Sequence, residues 1–118
     1  MEAVAWWAEE PHNDAPACVS PVLRAFAIGW NDWMRSDAEL ASLRQYIPLM
    51  VGTSGDAEAD ERRAWLALDW LVRVHTPTWL RLAGRECTVH AAKLAGLPAI
   101  LNSDLARQCQ GDIAAAWT

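Results

Sequence analysis

Lysine, phenylalanine and tyrosine are almost absent from this 118-residue chain, each occurring once, as Lys93, Phe26 and Tyr46. The basic side chains are therefore nearly all arginines, and they are scattered along the chain rather than gathered into a stripe. Binding to a nucleic-acid backbone depends on clustered Lys and Arg, and the formal net charge here is −5. We therefore expect no nucleic-acid partner.

Long apolar runs are lacking as well. A helix that crosses a bilayer needs about 20 mainly apolar residues, and Asp69 and Arg73 interrupt the most apolar stretch. We therefore expect no membrane span. The first residues, with acidic Glu2, do not fit a secretion signal either.

Cysteine is also scarce, with an odd count of three: Cys18, Cys87 and Cys109. These are most simply reduced thiols in a cytoplasmic protein. The preference for Arg and Ala over Lys would suit a GC-rich bacterial genome.

Residues that favour strands are sparse, whereas Ala, Leu, Arg and Glu are abundant, which favours helices. The chain is 53% apolar and contains eight tryptophans, and its length suits one domain with a single core. We predict an all-α fold in which residues 1–118 form a compact single-domain bundle of five or six helices. Residues 1–19 would be an N-terminal arm or a short docked helix.

The predicted bundle is organised around a central Trp-rich helix at about 56–76. Apolar side chains occupy nearly its whole circumference, which predicts burial among neighbouring helices. Asp56 is the expected N-cap. Pro77 lacks the N–H that an α-helix needs, so we predict a break there, with Thr76 capping a second helix that closes at Gly84.

Capping signals place the other helices. Ser20-Pro21 predicts a helix to about Arg35, and the Ser36-x-x-Glu39 capping box predicts a helix to about Ile47. Two more are expected at 86–95 and from 102 or 103 toward 117.

Residues able to carry chemistry form no complete site. Cys87-x-x-His90 supplies two metal ligands at helical spacing, but structural zinc needs about four, and no second pair is present. Cysteine catalysis lacks an activating motif. The loop at 52–55 has the outline of an anion-binding turn, yet acidic residues follow it, so a capped connection is the better interpretation. We predict no metal, no cofactor and no catalytic residue.

Aromatic residues supply the best binding candidates. Phe26, Trp30 and Trp33 form a stripe on the second helix, which is either core or one wall of a pocket. The central region adds five further candidates: Trp65, Asp69, Trp70, Arg73 and Trp79. If Asp69 and Arg73 face a cavity, the pair and the surrounding indoles would resemble a small-molecule site. If they face solvent or a neighbouring helix, which is the favoured interpretation, they would be a surface pair.

These features lead to two hypotheses. The first is a non-enzymatic protein-interaction module that associates with itself as a homodimer or other homo-oligomer, or with another protein. Its motivation is the high apolar content and the indoles at both chain ends, Trp6, Trp7 and Trp117. The alternative is a binding protein for a hydrophobic or aromatic small molecule held between the stripe on the second helix and the central helix.

Overall fold

The computed structural model describes residues 1–117, apart from the side chain of Glu86. All regular structure within these residues is helical, so the predicted all-α class is confirmed. The α-helices, in chain order, are α1 (Glu2–Trp7), α2 (Pro21–Trp33), α3 (Asp37–Ser42), α4 (Ile47–Met50), α5 (Ala57–Trp70), α6 (Thr76–Ala83), α7 (Thr88–Ala95) and α8 (Ser103–Ala116). Short 3₁₀ segments lie at Leu43–Tyr46 and Arg85–Cys87, and a π-helical segment at Leu71–His75. None of the described helices is both long enough and apolar enough to cross a bilayer.

Contacts between residues divide the chain into two compact units. The N-terminal unit is Met1–Arg63 and the C-terminal unit is Ala64–Thr118, so the division falls inside α5. The first unit contains α1 to α4 and the start of α5, and the second contains the rest of α5 with α6, α7 and α8. The single-domain organisation expected from the chain length stays a prediction.

Side-chain caps confirm the predicted helix starts in the N-terminal unit. The Ser20 hydroxyl accepts a hydrogen bond from the Leu23 amide at 3.4 Å, at the start of α2. The Ser36 hydroxyl accepts one from the Glu39 amide at 3.2 Å, at the start of α3. The Glu39 carboxylate reaches back to the Arg35 amide at 2.7 Å, one residue before the donor used in a standard capping box.

The first helix is held by small apolar residues and leaves its indoles in solvent. Val4 and Ala5 are buried, and α1 packs against α4. Trp6 and Trp7 follow directly and are 76% and 56% exposed. Residues 2–7 thus form a short helix. Val4 and Ala5 occupy the buried face of this helix, so neither indole is needed to hold it.

Four buried side chains form the core of the C-terminal unit: Val72, Leu94, Ile100 and Cys109. Partly buried apolar groups pack around them: Trp65, Leu68, Leu80, Leu97, Ala106, Ile113 and Ala116. The last helix starts as predicted, with the Asn102 side-chain carbonyl accepting from the Leu105 amide at 2.9 Å. Cys109 and Ile113 of this helix both contribute to the core.

The central helix is buried on one side only, so the prediction that its neighbours enclose it nearly all round is wrong. Within α5 and the π-helical segment only Val72 is buried. Leu66, Trp70 and Val74 are 59%, 42% and 50% exposed. The core lies along one face of the helix, where Trp65 packs. The opposite apolar face remains in water.

Pro77 changes the hydrogen bonding of the helix without ending its helical course. The α-helix gives way to a π-helical segment after Trp70, and the Thr76 amide donates to the Leu71 carbonyl, five residues earlier. The Thr76 hydroxyl donates to the same carbonyl at 2.8 Å. The prediction of Thr76 as an N-cap is wrong, because its φ of −60° and ψ of −46° are helical. π-helical turns are rare, and they occur mostly as single wider turns of this kind inside α-helices.

Candidate ligand groove

An apolar groove of about 500 Å³ lies within the N-terminal unit. Its volume is within the range typical of small-molecule sites, about 300–1,000 Å³. The groove is lined by side chains from α1, α2 and the helical stretch at 40–50: Met1, Ala3, Val4, Leu23, Phe26, Ala27, Trp30, Asn31, Leu40, Leu43, Arg44, Tyr46, Ile47, Leu49 and Met50. Most of these are apolar, so the groove presents hydrophobic surface that is partly open to water.

Three aromatic rings form part of the groove lining. Phe26 and Trp30 are four residues apart on α2, which places them on one helix face. Their ring centroids are 5.9 Å apart and the rings meet edge to face at 76°. Tyr46 approaches Trp30 from the 3₁₀ segment, also at 5.9 Å between centroids, with the planes tilted by 38°. These contacts restrict the rings and shape the apolar surface they present.

Residues 40–50, which form a run of short helices, supply another part of the groove lining. Leu40, Leu43 and Ile47 follow the capping box at the spacing expected for one apolar face. Pro48 lies in the first turn of α4, where its missing N–H costs no helical hydrogen bond. The chain then continues through Leu49 into the loop at 52–55.

That loop is joined to the start of α2 by backbone hydrogen bonds. The amides of Thr53 and Ser54 donate to the Cys18 carbonyl at 3.0 and 3.3 Å. Gly52 and Gly55 flank them with φ of +78° and +90°, values that favour glycine. Because the two amides are already bonded within the chain, they do not form a free anion-binding turn. The geometry favours the interpretation of this loop as a connection.

A cluster of polar side chains also joins this loop to the starts of α2 and α5. The Thr53 hydroxyl accepts from the Ser20 amide at 2.9 Å, and the Ser20 hydroxyl donates to the Asp60 carboxylate. Arg63 donates to Asp60 at 2.9 Å and to the Thr53 carbonyl at 3.0 Å. The Ser20 hydrogen bond above all, together with the Arg63 guanidinium, lowers the pKa of Asp60 below its ordinary value. Asp60 is thus held as a carboxylate that fixes the start of α2.

Cys18, next to this cluster, has no feature of an activated nucleophile. Burial raises the pKa of the Cys18 thiol, and its hydrogen bond and charge interaction with Glu10 raise that pKa further. The Glu10 carboxylate itself accepts from the amides of Ala17 and Cys18, at 2.8 and 3.0 Å. A thiol with a raised pKa carries less thiolate at neutral pH, which is the reactive form.

The Asp69–Arg73 pair lies in the C-terminal unit. Arg73 Nη1 donates to both carboxylate oxygens, at 3.0 and 3.1 Å, and the Ile100 amide donates to the same carboxylate at 2.7 Å. Burial raises the pKa of Asp69, but the Ile100 amide and the Arg73 guanidinium outweigh it and bring that pKa below the ordinary value. The two side chains are only 19% and 28% exposed. The pair thus joins two parts of the unit, and is neither a solvent-exposed pair nor part of the groove.

Indoles and an imidazole form a row close to this pair. The rings of Trp70 and His75 stack at 4.9 Å between centroids with 30° between their planes. Trp79 also contacts His75, edge to face at 6.1 Å between centroids. Trp70 and Trp79 are 42% and 50% exposed. This row belongs to the surface of the C-terminal unit.

Of the eight residues predicted to bind a ligand, only Phe26 and Trp30 line the groove. Trp33 lies on the same helix but is 67% exposed and outside the lining. Five belong to the C-terminal unit: Trp65, Asp69, Trp70, Arg73 and Trp79. Of the predicted interface residues, Trp117, like Trp6, is about three-quarters exposed. The lining residues at 40–50 were not among the predicted site residues, although their apolar spacing is visible in the sequence.

The residues considered for metal binding are not gathered into a site. Cys87 ends a 3₁₀ turn and precedes α7, while His90 lies within α7. Nδ1 of His90 is buried and has no hydrogen-bond partner among the described groups, which do not include the Glu86 side chain. Among the side chains that the structure describes, no three of His, Cys, Asp or Glu lie together in a way that would hold a metal ion.

Comparisons with known proteins give no relative. No family model matches the chain, and neither the curated proteins nor the solved structures contain a significant match. Proposals about function therefore depend on the geometry described above.

Proposed function

We propose that this chain is a non-enzymatic binding protein whose N-terminal unit holds an apolar small molecule in the groove lined by Phe26, Trp30 and Tyr46. The observation that carries the proposal is the groove itself, an apolar concave surface of about 500 Å³ formed by one unit. Clefts of this size with few polar groups are the usual form of small-molecule sites.

The composition of the lining supports binding rather than conversion. Among the lining residues that the structure describes there is no histidine, cysteine or carboxylate. These are the groups that most often transfer protons or attack a substrate. The polar groups present, on Asn31, Arg44 and Tyr46, are suited to orienting a ligand.

The test uses an uncharged fluorescent probe, N-phenyl-1-naphthylamine, and two substitutions on one helix. Ala27 lines the groove, whereas Ala25 is exposed on the same helix and is not part of the lining. Ala27→Trp fills the groove, so we expect it to weaken probe binding by about tenfold, or 1.4 kcal/mol. Ala25→Trp adds the same side chain outside it and should leave the affinity within about twofold.

Circular dichroism and urea unfolding establish that both variants are folded. Should Ala27→Trp fail to fold, Phe26→Ala provides a second alteration of the same wall. Equal affinities in the two tryptophan variants, or no probe binding by the unaltered protein, would refute the proposal.

A second candidate function is self-association, through a different surface. Leu66, Val74 and Leu82 of the C-terminal unit are 59%, 50% and 77% exposed. Large apolar side chains exposed along one helical stretch favour contact with another protein surface, and a second copy of the chain is the simplest partner. The exposed indoles Trp6 and Trp117 are consistent with the same role.

A further inference from the structure

We propose that the ligand of the groove is a free amphiphilic acid, with an apolar body on the aromatic wall and a single anionic group bound by Arg44. This inference rests on the proposed binding function and specifies its ligand class. The groove has one charged side chain in its lining. Of its fifteen lining residues, Arg44 is the only one with an ionised side chain at neutral pH. The side chains of this surface therefore carry one positive charge, although the net charge of the chain is −5.

Arg44 is the arginine of the N-terminal unit that lines the groove, and it has no anionic partner among the described groups. Arg24 and Arg35 also form no ion pair there, but they lie outside the lining. Arg62 pairs with Glu58 at 2.8 Å, and Arg63 pairs with Asp60 at 2.9 Å. Arg44 makes no ion pair or side-chain hydrogen bond with any group that the structure describes. Its guanidinium is therefore available to a ligand.

The position of Arg44 suits a ligand with two chemically different ends. It is the second residue of the 3₁₀ segment, next to Leu43 and two residues before Tyr46, and all three line the groove. A guanidinium beside apolar walls binds a carboxylate through parallel N–H donors, more strongly than it would in open water. Asn31, on α2, supplies a neutral amide at the same groove.

The size of the groove favours a free molecule over a membrane surface. A volume of about 500 Å³ matches a drug-sized compound. An aromatic or aliphatic monocarboxylate combines such an apolar body with one charge. A neutral compound of the same shape would fill the groove but leave Arg44 without a partner.

Two probes of nearly equal shape test the inference: 1-anilinonaphthalene-8-sulfonate, which is anionic, and N-phenyl-1-naphthylamine, which lacks the sulfonate. Arg44→Gln should weaken the anionic probe by about tenfold and change the neutral probe by less than about twofold. Arg35→Gln removes the same charge from a residue outside the lining and should change neither. Dodecanoate should displace the neutral probe at lower concentration than dodecanol does, and this advantage should disappear in Arg44→Gln.

The outcomes separate the two proposals. If Ala27→Trp weakens both probes while Arg44→Gln weakens neither, or weakens both equally, the groove binds ligands but the assignment of an acid is wrong. If Ala27→Trp weakens neither probe, the groove itself is not the site. Sedimentation of the protein with vesicles of anionic phospholipid, lost in Arg44→Gln, would replace the free acid by a membrane surface and overturn the inference.

Discussion

The carboxylate of Asp69 accepts a hydrogen bond from the backbone N–H of Ile100 at 2.7 Å, across 31 residues of chain. Ile100 is fully buried, and its amide lies where water has little access. Arg73 completes the arrangement by donating to both oxygens of the same carboxylate. Asp69 therefore attaches the segment before α8 to α5, and a buried amide depends on it.

We expect Asp69→Ala to lower the free energy of unfolding by about 2–3 kcal/mol, because it leaves the Ile100 amide and a half-buried guanidinium without their acceptor. Asp69→Asn should cost less, since its side-chain carbonyl can still accept from Ile100. Urea unfolding followed by circular dichroism measures both changes. As a control, Arg107→Ala removes an exposed pair with Asp104 and should change stability by less than about 0.5 kcal/mol. An Asp69→Ala variant as stable as this control would contradict the role.

Stability should also depend on acid through Asp60 and Asp69. Both pKa values lie below the ordinary 3.8 in the folded chain. A lowered folded-state pKa gives stabilisation that is complete above the unfolded-state pKa and is lost as the pH falls through the folded-state pKa. We therefore expect the free energy of unfolding to fall once the pH is lowered past about 4. Urea titrations between pH 6 and pH 3 should show a shallower decline in the Asp60→Asn, Asp69→Asn double variant; an equal decline would rule out these two groups as the cause.

Two serine caps in the N-terminal unit allow a matched comparison. Ser36 is exposed and only caps α3, so Ser36→Ala should cost about 1 kcal/mol. Ser20 is fully buried, and besides capping α2 it donates to Asp60. Ser20→Ala should therefore cost roughly twice as much as Ser36→Ala. Chemical denaturation of the two variants measures the difference, and equal losses would mean that the hydrogen bond to Asp60 adds nothing.

The features that the sequence predicted well are those decided by neighbours in the chain. The caps at Ser20, Ser36, Asp56 and Asn102 each depend on an amide three residues away, and all four are present. The residues around Pro77 do not determine the backbone conformation there. A new helix start and a π-helical turn can both accommodate a residue that has no N–H. The π-helical turn is the one formed.

Of the two walls of the groove, only the one on α2 was predictable from the sequence. The four-residue spacing of Phe26 and Trp30 identified an aromatic face on α2, and this face lines the groove. Which element would lie against it is a matter of long-range packing. The central helix was the more apolar candidate, but the shorter helices at 40–50 supply the other wall. Arg44 carried no sequence signal, since its importance comes only from lacking a partner beside an apolar surface.

The exposed apolar residues of the C-terminal unit predict self-association at micromolar protein concentration. Leu66→Glu and Leu82→Glu place a charge where contact would require an apolar surface, so each should weaken a dimer by about tenfold or more. Gln108→Glu adds the same charge at an exposed position of α8 and should leave the association unchanged. Sedimentation equilibrium measures all four proteins. A monomer throughout the micromolar range would exclude Leu66 and Leu82 as a dimer contact. Equal weakening by Gln108→Glu would exclude them too, because added charge alone would then account for the effect.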